Sequence, residues 1–304
     1  MSENLHKIHL TSFQVIILGF AGVILSGALL LMLPWASVKG AVTPFHEALF
    51  TATSAVCVTG LVVQDTGSYW SSFGQAVILI LIQTGGFGVV TVAAAVSMMS
   101  GRKISLMQRS TMQNAISAPK VGGIVRLTKF ILKGTFLIEG MGALLLLPVF
   151  CHDFGWKGIW MAVFHSVSAF CNAGFDILGR EGHLYPSIVG YADNILVNGV
   201  IIGLIIIGGI GFLTWEDICE YKWKFKSYRM QSKLILATTV CLIIFPACFF
   251  FFADFQYLPV KSRFLASVFQ SVTPRTAGFN TVDITMMTEA SKVVMILLML
   301  IGGS

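Results

Sequence analysis

Three short stretches of the chain have a glycine next to their last residue and carry residue types that suit the binding of a cation by backbone atoms. Residues 50–61 read FTATSAVCVTGL, residues 164–175 read FHSVSAFCNAGF, and residues 269–279 read FQSVTPRTAGF. Each stretch has a phenylalanine, small and hydroxyl-bearing residues, and then one of the glycines Gly60, Gly174 and Gly278. Glycine adopts backbone angles that other residues resist, so carbonyl oxygens beside it can be turned toward an ion. The chemistry indicated is ion coordination by carbonyl groups.

A helix is expected before each of these glycines, and it is too short to cross a bilayer. At ~1.5 Å per residue, about twelve helical residues cover about 18 Å of a hydrocarbon core near 30 Å. The chain must therefore turn back inside the membrane, which is tolerated only where the backbone is buried in protein or lines a watery path. Three such loops predict a pore built from pseudo-repeats. The alternative is a set of plain interhelical loops in which glycine supplies flexibility.

The composition is that of a membrane protein. Of 304 residues, 56% are hydrophobic, 11% are charged and 30 are glycine, and the mean hydropathy is +0.83. A soluble domain of this length does not have such a composition. The net charge of +6 does not indicate nucleic-acid binding, because no basic patch on a soluble fold alternates with aromatic residues. Six cysteines without a CxxC pair indicate neither a zinc site nor a disulfide framework.

Longer apolar runs alternate with the three short helices. Crossing helices are predicted at residues 13–33, 73–99, 134–150, 194–215 and 234–252, with the start of another at 292–304. The short helices are predicted at residues 43–56, 158–170 and 264–273, and Pro44 suits the opening turn of the first.

Charge sets the orientation. Seven basic residues and no acidic residue lie in residues 101–133, and residues 215–233 are also net basic. Both connections are therefore expected on the cytoplasmic side, together with residues 1–10 as an N-terminal tail. The outer segments carry Asp153, Asp176, Glu181 and Asp193, where mild acidity concentrates cations.

The chain is predicted to contain one kind of unit three times: helix, re-entrant helix, return and helix. The units are residues 11–100, 134–218 and 234–304, and the connections are residues 101–133 and 219–233. The loop glycines recur at intervals of about 104 to 114 residues, and glycine pairs at 85–86, 208–209 and 302–303 recur in the second helix of each unit.

At these residues the sequence resembles the Trk/Ktr/HKT superfamily of potassium transporters, most of all a bacterial KtrB-type membrane subunit. The resemblance covers nearly the whole chain, through VCVTGL at 56–61, CNAGF at 171–175, PRTAGFN at 274–280 and MLIGGS at 299–304. It implies an all-α polytopic membrane protein with four units of helix, re-entrant pore helix and helix around a potassium-channel-like pore. Three of the four units are present in this sequence, the third of them incomplete.

The resemblance also implies a function. It implies uptake of potassium, as the transported substrate, by a multi-pass protein of the bacterial inner membrane with a cytoplasmic N-terminus. No covalently bound cofactor and no nucleic acid are implied; the partners are the lipid bilayer, a second copy in a homodimer and a cytoplasmic nucleotide-binding regulatory subunit. The implied filter residues are Val58, Thr59, Gly60, Asn172, Ala173, Gly174, Thr276, Ala277 and Gly278, and the implied intramembrane gate is Gly302, Gly303 and Ser304.

Two other functional classes stay open as alternatives. One is a structural or assembly subunit that keeps the fold without conducting. The other is an intramembrane enzyme, for which the sequence offers no nucleophile, metal or aspartyl motif. The start of an HExxH motif at His46 fails because the fifth position is Phe50. Ion-flux measurements separate these classes.

Four further features each have two interpretations. GGFG at 85–88 and GGIG at 208–211 indicate close helix packing, or a dinucleotide loop if a strand preceded them. Glu139, in an apolar run, indicates a buried hydrogen bond, with Asn198 as the candidate partner, or a cation site. Arg275 is expected behind the filter, bonded to carbonyls or to an acidic neighbour.

These 304 residues are not expected to conduct by themselves. A carbonyl ring needs oxygens on all sides, and each unpaired backbone group at membrane depth costs on the order of several kcal/mol. In liposomes, the chain should show no selective potassium flux, whereas a version extended by a fourth glycine-containing loop should conduct. Robust selective flux from the short chain would contradict this expectation.

Overall fold

The structure, a computed structural model, describes residues 11–89, 91–93, 111, 113 and 124–302. The predicted tail at residues 1–10, most of the connection before residue 124, and the gate residues Gly303 and Ser304 lie outside that part. The helices are α1 (Ser12–Leu31), α2 (Phe45–Val56), α3 (Ser72–Phe87), α4 (Ile124–Phe154), α5 (Lys157–Phe170), α6 (Ile195–Gly209), α7 (Phe212–Tyr221), α8 (Met230–Ala253), α9 (Val260–Val272) and α10 (Glu289–Ile301). Short 3₁₀ turns lie at Pro34–Ala36, Val189–Tyr191, Phe225–Ser227, Phe255–Tyr257 and Ile284–Met286.

Three of the described helices are long and apolar enough to cross a membrane. Their apolar spans are Phe13–Leu31, Val125–Phe154 and Met230–Ala253. Helix α4 begins about ten residues before the predicted crossing at residue 134, so the last part of the predicted basic connection is helical. Gly134 does not interrupt it, because this glycine lies inside the helix against the ring of Trp215.

The predicted crossing at residues 194–215 is not one continuous helix in the structure. The chain bends by 97° between α6 and α7. The bend falls at Gly211, whose φ of +81° is readily adopted only by glycine. Beyond the bend, the indole Nε1 of Trp215 donates a hydrogen bond of 2.8 Å to the carbonyl of Ile207, one of the groups left free where α6 ends. Helix α7 therefore lies across the end of α6.

The predicted crossing at residues 73–99 also differs from the structure. Helix α3 ends at Phe87, and Gly88 follows with φ +78°. Residues 94–99 lie outside the described part of the chain. The 16 residues of α3 are too few for an upright crossing by themselves.

The three short helices are present and end deep in the protein. Helices α2, α5 and α9 have 12, 14 and 13 residues, so each is about 18 to 21 Å long. Pro44 is the residue before α2 and not part of its opening turn, and α9 begins at Val260, earlier than predicted, directly after Pro259. The last residues of all three, 54–56, 164–170 and 269–272, are buried.

The units are joined because the core of one accepts residues of the next. Ala173 and Phe175, from the second loop, are buried in the apolar cluster formed mainly by α1, α2 and α3. Ala277 and Phe279, from the third loop, are buried in the same way in the cluster of α4, α5 and α6. The second and third loops are therefore each fixed by side chains that insert into the preceding unit.

The glycine pairs allow close helix packing. Gly85 of α3 lies against the carbonyl of Val56, the last residue of α2, and Gly208 of α6 lies against the carbonyl of Phe170, the last residue of α5. A β-carbon at either glycine would overlap that carbonyl oxygen. The packing interpretation of these motifs is therefore confirmed, and the dinucleotide interpretation is wrong because the motifs follow helical residues and not a strand.

We expect Gly208→Ala to destabilise the protein by about 1–3 kcal/mol, because the contact is with rigid backbone. Gly203, in the same helix, has no atom within 4 Å of its β-carbon position. Gly203→Ala should therefore be neutral or stabilising by up to about 1 kcal/mol. Thermal unfolding of the detergent-purified variants measures both effects, and equal midpoints for the two variants would contradict the packing.

Candidate functional site

The three return loops meet around one cavity of about 760 Å³. Residues from all three loops contribute to its wall, together with α6 and α10. The lining includes Val58, Thr59, Gly60, Asn172, Thr276, Gly278, Gly208, Gly209, Met295 and Met299. Residues that are far apart in sequence thus share one space in the interior of the helix assembly.

The backbone of the three loops has the same unusual conformation. φ is positive at Val58 (56°), Asn172 (56°) and Thr276 (70°), and again two residues later at Gly60 (73°), Gly174 (68°) and Gly278 (78°). The residue between them has an ordinary φ in each loop. A backbone in which the sign of φ alternates in this way can turn successive carbonyl groups toward the same side of the chain. A carbonyl-lined filter needs that arrangement.

This conformation is strained at the first position of each triplet. Left-handed backbone costs a residue with a β-carbon roughly 1–2 kcal/mol, and branching at the β-carbon in Val58 and Thr276 makes it less favourable still. Such strain persists only where the surrounding structure holds it, and it is concentrated at functional sites in proteins.

Hydroxyl residues at the ends of the short helices hold the loops in place. The amide of Thr59 donates to the carbonyl of Ser54 (2.9 Å), that of Ala173 to Ser168 (2.8 Å), and that of Ala277 to Thr273 (3.0 Å). The hydroxyls of Ser168 and Thr273 donate to the carbonyls of Phe175 (2.7 Å) and Phe279 (2.5 Å), beyond the glycine. In the first loop the hydroxyl of Thr59 donates to that of Ser54 (2.9 Å). When the three stretches are aligned, each has a serine or threonine near the end of its short helix. This shared hydroxyl residue is the sequence feature that indicates the hydrogen bonds.

The loops also contact one another in sequence order. A β-carbon on Gly60 would lie 2.5 Å from the carbonyl oxygen of Ala173, and one on Gly174 would lie 2.5 Å from that of Ala277. Gly174 and Gly278 are close neighbours as well. Glycine is therefore required at Gly60 and Gly174 for two reasons, the sign of φ and the space taken by the adjacent loop.

An outer strap, residues 177–191, ties the first loop to the third. The amide of Tyr185 donates to Asp65 Oδ1 (2.9 Å), and its hydroxyl donates to the carbonyl of Val63 (3.0 Å). At the other end of the strap, the amide of Asn280 donates to Ser187 Oγ (2.8 Å). Nothing in the composition of residues 177–191 predicts this role, because its partners are identified only by the folded chain.

Asp176 lies at the start of the outer segment and is the acidic group beside the second loop. Its carboxylate accepts a hydrogen bond from the amide of Leu178 (3.2 Å). Burial, with a smaller contribution from the negative charge of Asp65, raises the pKa of Asp176 from 3.8 to about 6. The charge at this position therefore changes in the mildly acidic range.

Glu139 of α4 has a buried hydrogen bond, but the predicted partner is wrong. Both carboxylate oxygens accept from Nε2 of Gln83 in α3, at 3.0 and 3.2 Å. Asn198 instead donates to the carbonyls of Tyr191, Ala192 and Asn194, because it lies in the first turn of α6. The bond from Gln83 to Glu139 connects the first unit to the second.

Arg275 is buried behind the third loop, as expected, but the predicted partners are wrong. One guanidinium nitrogen donates to the hydroxyl of Thr239 in α8 (3.1 Å). Neither a carbonyl nor an acidic side chain is among its bonding partners in the described part of the chain. The side chain points away from the cavity toward α8, which keeps its charge off the cavity axis.

The gate expected at residues 302–304 is described at its first residue only. Gly302 ends α10 with φ +68°, and its amide donates to the carbonyl of Leu298 (2.9 Å). Two residues of α10, Met295 and Met299, line the cavity. The end of this helix is therefore close to the space that the three loops surround.

The fold and the site together define a class: a polytopic helical membrane protein in which repeated re-entrant loops surround a shared cavity. A family model described as "TrkH: Cation transport protein" matches residues 6–304, and the chain belongs to this family. The fold agrees with a solved structure of the potassium transporter TrkH from Vibrio parahaemolyticus. The TM-score is 0.72 at 17% identity, over 99% of this chain and 58% of that one.

Two curated relatives are more similar in sequence. The chain is 39% identical to the potassium/sodium uptake protein NtpJ of Enterococcus hirae, over 100% of this chain and 67% of the relative. It is also 39% identical to the Ktr system potassium uptake protein B of Bacillus subtilis, over 97% of this chain and 66% of the relative. The chain thus spans about two thirds of the length of these relatives. The resemblance read from the loop motifs is confirmed.

The pKa of Asp176 gives a pH prediction. Because the folded-state pKa is raised, the folded protein binds more protons than the unfolded chain between about pH 4 and pH 6, so this group makes stability fall as pH rises through that window. Asp176→Asn should remove that fall. The thermal unfolding midpoint of the variant, measured relative to that of the wild type, should therefore increase from pH 4 to pH 7.

The control has the opposite sign. Hydrogen bonds from Thr285 lower the pKa of the exposed Asp283, so its contribution to stability is present at pH 7 and is lost as pH falls. The unfolding midpoint of Asp283→Asn, measured relative to that of the wild type, should therefore decrease as pH rises. A pH-independent difference between Asp176→Asn and the wild type would contradict the prediction for Asp176.

Proposed function

We propose that the chain forms the ion pathway of a potassium uptake protein in a bacterial inner membrane. The observation that carries the proposal is the shared alternation in the sign of φ, positive, negative and positive, in three loops around one cavity. In this proposal, carbonyl oxygens at Val58–Gly60, Asn172–Gly174 and Thr276–Gly278 replace the hydration shell of potassium. Conduction is passive or driven by an ion gradient, and the protein carries out no catalytic step.

The relatives support potassium as the transported ion, since their names describe potassium uptake and, for one of them, potassium/sodium uptake. Charge supports the proposed orientation, because basic residues at both connections favour a cytoplasmic position for these connections and for the N-terminus. The acidic outer segments then face the side from which potassium enters.

The filter proposal is tested by Gly174→Ser. The variant is made in a longer protein, in which this chain is extended by the region of its relatives that it does not cover. The serine would require φ near +68° and would press its β-carbon on the carbonyl of Ala277, so the carbonyl arrangement should loosen and sodium should compete. The preference for potassium over sodium should fall by about tenfold or more, roughly 1.4 kcal/mol.

Gly182→Ser is the matched control. Gly182 has φ +84°, but its β-carbon position meets no atom within 4 Å. It therefore reproduces the backbone strain without the loop contact, and its selectivity should equal that of the wild type. If Gly174→Ser reaches the membrane at wild-type levels with unchanged selectivity, the filter assignment is wrong. If neither the wild type nor the variants conduct potassium, the chain is a non-conducting subunit.

We also propose that a cytoplasmic nucleotide-binding regulatory subunit gates the pathway and that the protein works as a homodimer. The gate would be Gly302, Gly303 and Ser304 at the end of α10. The surface that supports docking is the turn after α7, where Trp223 is 99% exposed between Lys222 and Lys224, and Lys226 follows. One relative is named as protein B of a Ktr system, which agrees with a system of several proteins.

Neutralising Lys222, Lys224 and Lys226 together, each to glutamine, tests this docking surface. Recovery of a regulatory subunit by co-purification at low salt should fall several-fold, since exposed charges act strongly there and are screened at high salt. The control is Lys261→Gln, which removes a positive charge from the start of α9, beyond the other end of α8. Unchanged recovery of the triple variant would instead favour anionic lipid headgroups as the partner of these lysines.

A further inference from the structure

A second, smaller cavity lies behind the second loop, between the first and second units. Its volume is about 60 Å³, several times the ~10–15 Å³ that one water molecule requires. The wall is formed by α3, α4, the end of α5 and the α6–α7 bend. It is lined by Gln83, Thr135, Cys171, Asn172, Gly208 and Phe212, among others.

Oxygen atoms without partners line this cavity. Among the described residues, the hydroxyl of Thr135, a residue that is 0% exposed, has no hydrogen-bond partner, and neither does Oδ1 of Asn172. Buried oxygen atoms of this kind are costly unless they are paired. Two orphaned oxygens on one small cavity therefore indicate a ligand that approaches both.

The amide of Gln83 supplies a third oxygen. Its Nε2 donates to the carboxylate of Glu139, which fixes the orientation of the amide because a carboxylate is an acceptor. Oε1 is thereby directed away from Glu139, and it accepts a hydrogen bond of 3.9 Å from the sulfur of Cys171 on the cavity wall. A thiol is a weak donor. The wall thus carries three neutral oxygens, two of them without a partner among the described residues and the third with a weak donor only.

Glu139 favours a positively charged ligand. The residue is 4% exposed, and none of the ion pairs in the described part of the chain involves it. Burial by itself favours the neutral form of a carboxyl group, whereas a positive charge nearby favours the ionised form. A cation held in the adjacent cavity, which is lined by oxygen atoms, would therefore allow Glu139 to carry its charge.

We propose that this cavity is a binding site for a small monovalent cation, separate from the filter, with sodium as the ion that its small volume and oxygen donors suit. Thr135 Oγ1, Asn172 Oδ1 and Gln83 Oε1 are the ligands, water completes the coordination, and Glu139 balances the charge from behind Gln83. Asn172 belongs to the second loop, so an ion at this site holds the side chain of a residue whose backbone faces the large cavity. Occupancy of the site therefore stabilises the loop conformation.

The test measures binding and does not depend on conduction, so its outcome is independent of the proposed function. Sodium chloride is titrated into the purified protein in choline chloride at constant ionic strength, and the thermal unfolding midpoint gives the dissociation constant. Thr135→Val, which replaces the hydroxyl by a methyl group of similar size, and Glu139→Gln should each weaken sodium binding by about tenfold or more. Thr135→Ser keeps the oxygen and should bind as the wild type does.

Thr91→Val is the matched control. Thr91 is equally buried, at 1% exposed, and its hydroxyl is also without a partner, but it does not line this cavity. Sodium binding by this variant should equal that of the wild type. If sodium gives no saturable shift beyond choline, or if Thr135→Val and Thr91→Val bind it equally, the cavity holds water and the proposal is overturned. Sodium bound in the filter would give the second of these results.

Discussion

Backbone amide and carbonyl groups at membrane depth need partners, and the rest of this structure follows from how the three loops meet that need. Lipid offers none, so each loop is bonded to the end of its own short helix by Ser54, Ser168 or Thr273. The loops are then enclosed by the next helix, which can approach only because Gly85 and Gly208 lack a β-carbon. The same constraint leaves some carbonyl groups unbonded on the inner side, where a cation can take the place of a hydrogen-bond donor.

Much of the fold and part of the site could be predicted from the sequence. The re-entrant helices before Gly60, Gly174 and Gly278 are predicted because a helix of about twelve residues is shorter than the hydrocarbon core is thick. The three glycines themselves are recognised because the same stretch recurs three times. The bend at Gly211 could not be read in the same way, because glycine is also common inside straight membrane helices. The partners of Glu139 and Arg275 were wrong for a related reason. Sequence shows that a buried polar group needs a partner, but only packing decides that Gln83 and Thr239 are the residues within reach.

Polar groups within the helix assembly connect elements both between units and within a unit. The bond from Gln83 to Glu139 crosses from the first unit to the second, and the bond from Arg275 to Thr239 joins the third loop to the helix that opens its own unit. Apolar contacts do the same at larger area, since Phe175 and Phe279 insert into the preceding units. Apolar packing is tolerant of small shifts, whereas hydrogen bonds fix distance and direction. Apolar packing and hydrogen bonds together fix the positions of the three loops relative to one another.

The outer strap has a consequence for biosynthesis. Asp65 and the Tyr185 amide that it binds are 120 residues apart, and Asn280 lies a further 93 residues beyond Ser187. At about 5–20 residues per second, a ribosome needs roughly 6–24 s to make the partner of Asp65. During that time the carboxylate has only its local contact, in which the amide and the hydroxyl of Ser68 donate to Asp65 Oδ2 (2.8 and 2.7 Å). The other oxygen, Oδ1, obtains its partner only after Tyr185 has been made. The first loop therefore reaches its final set of hydrogen bonds late in synthesis.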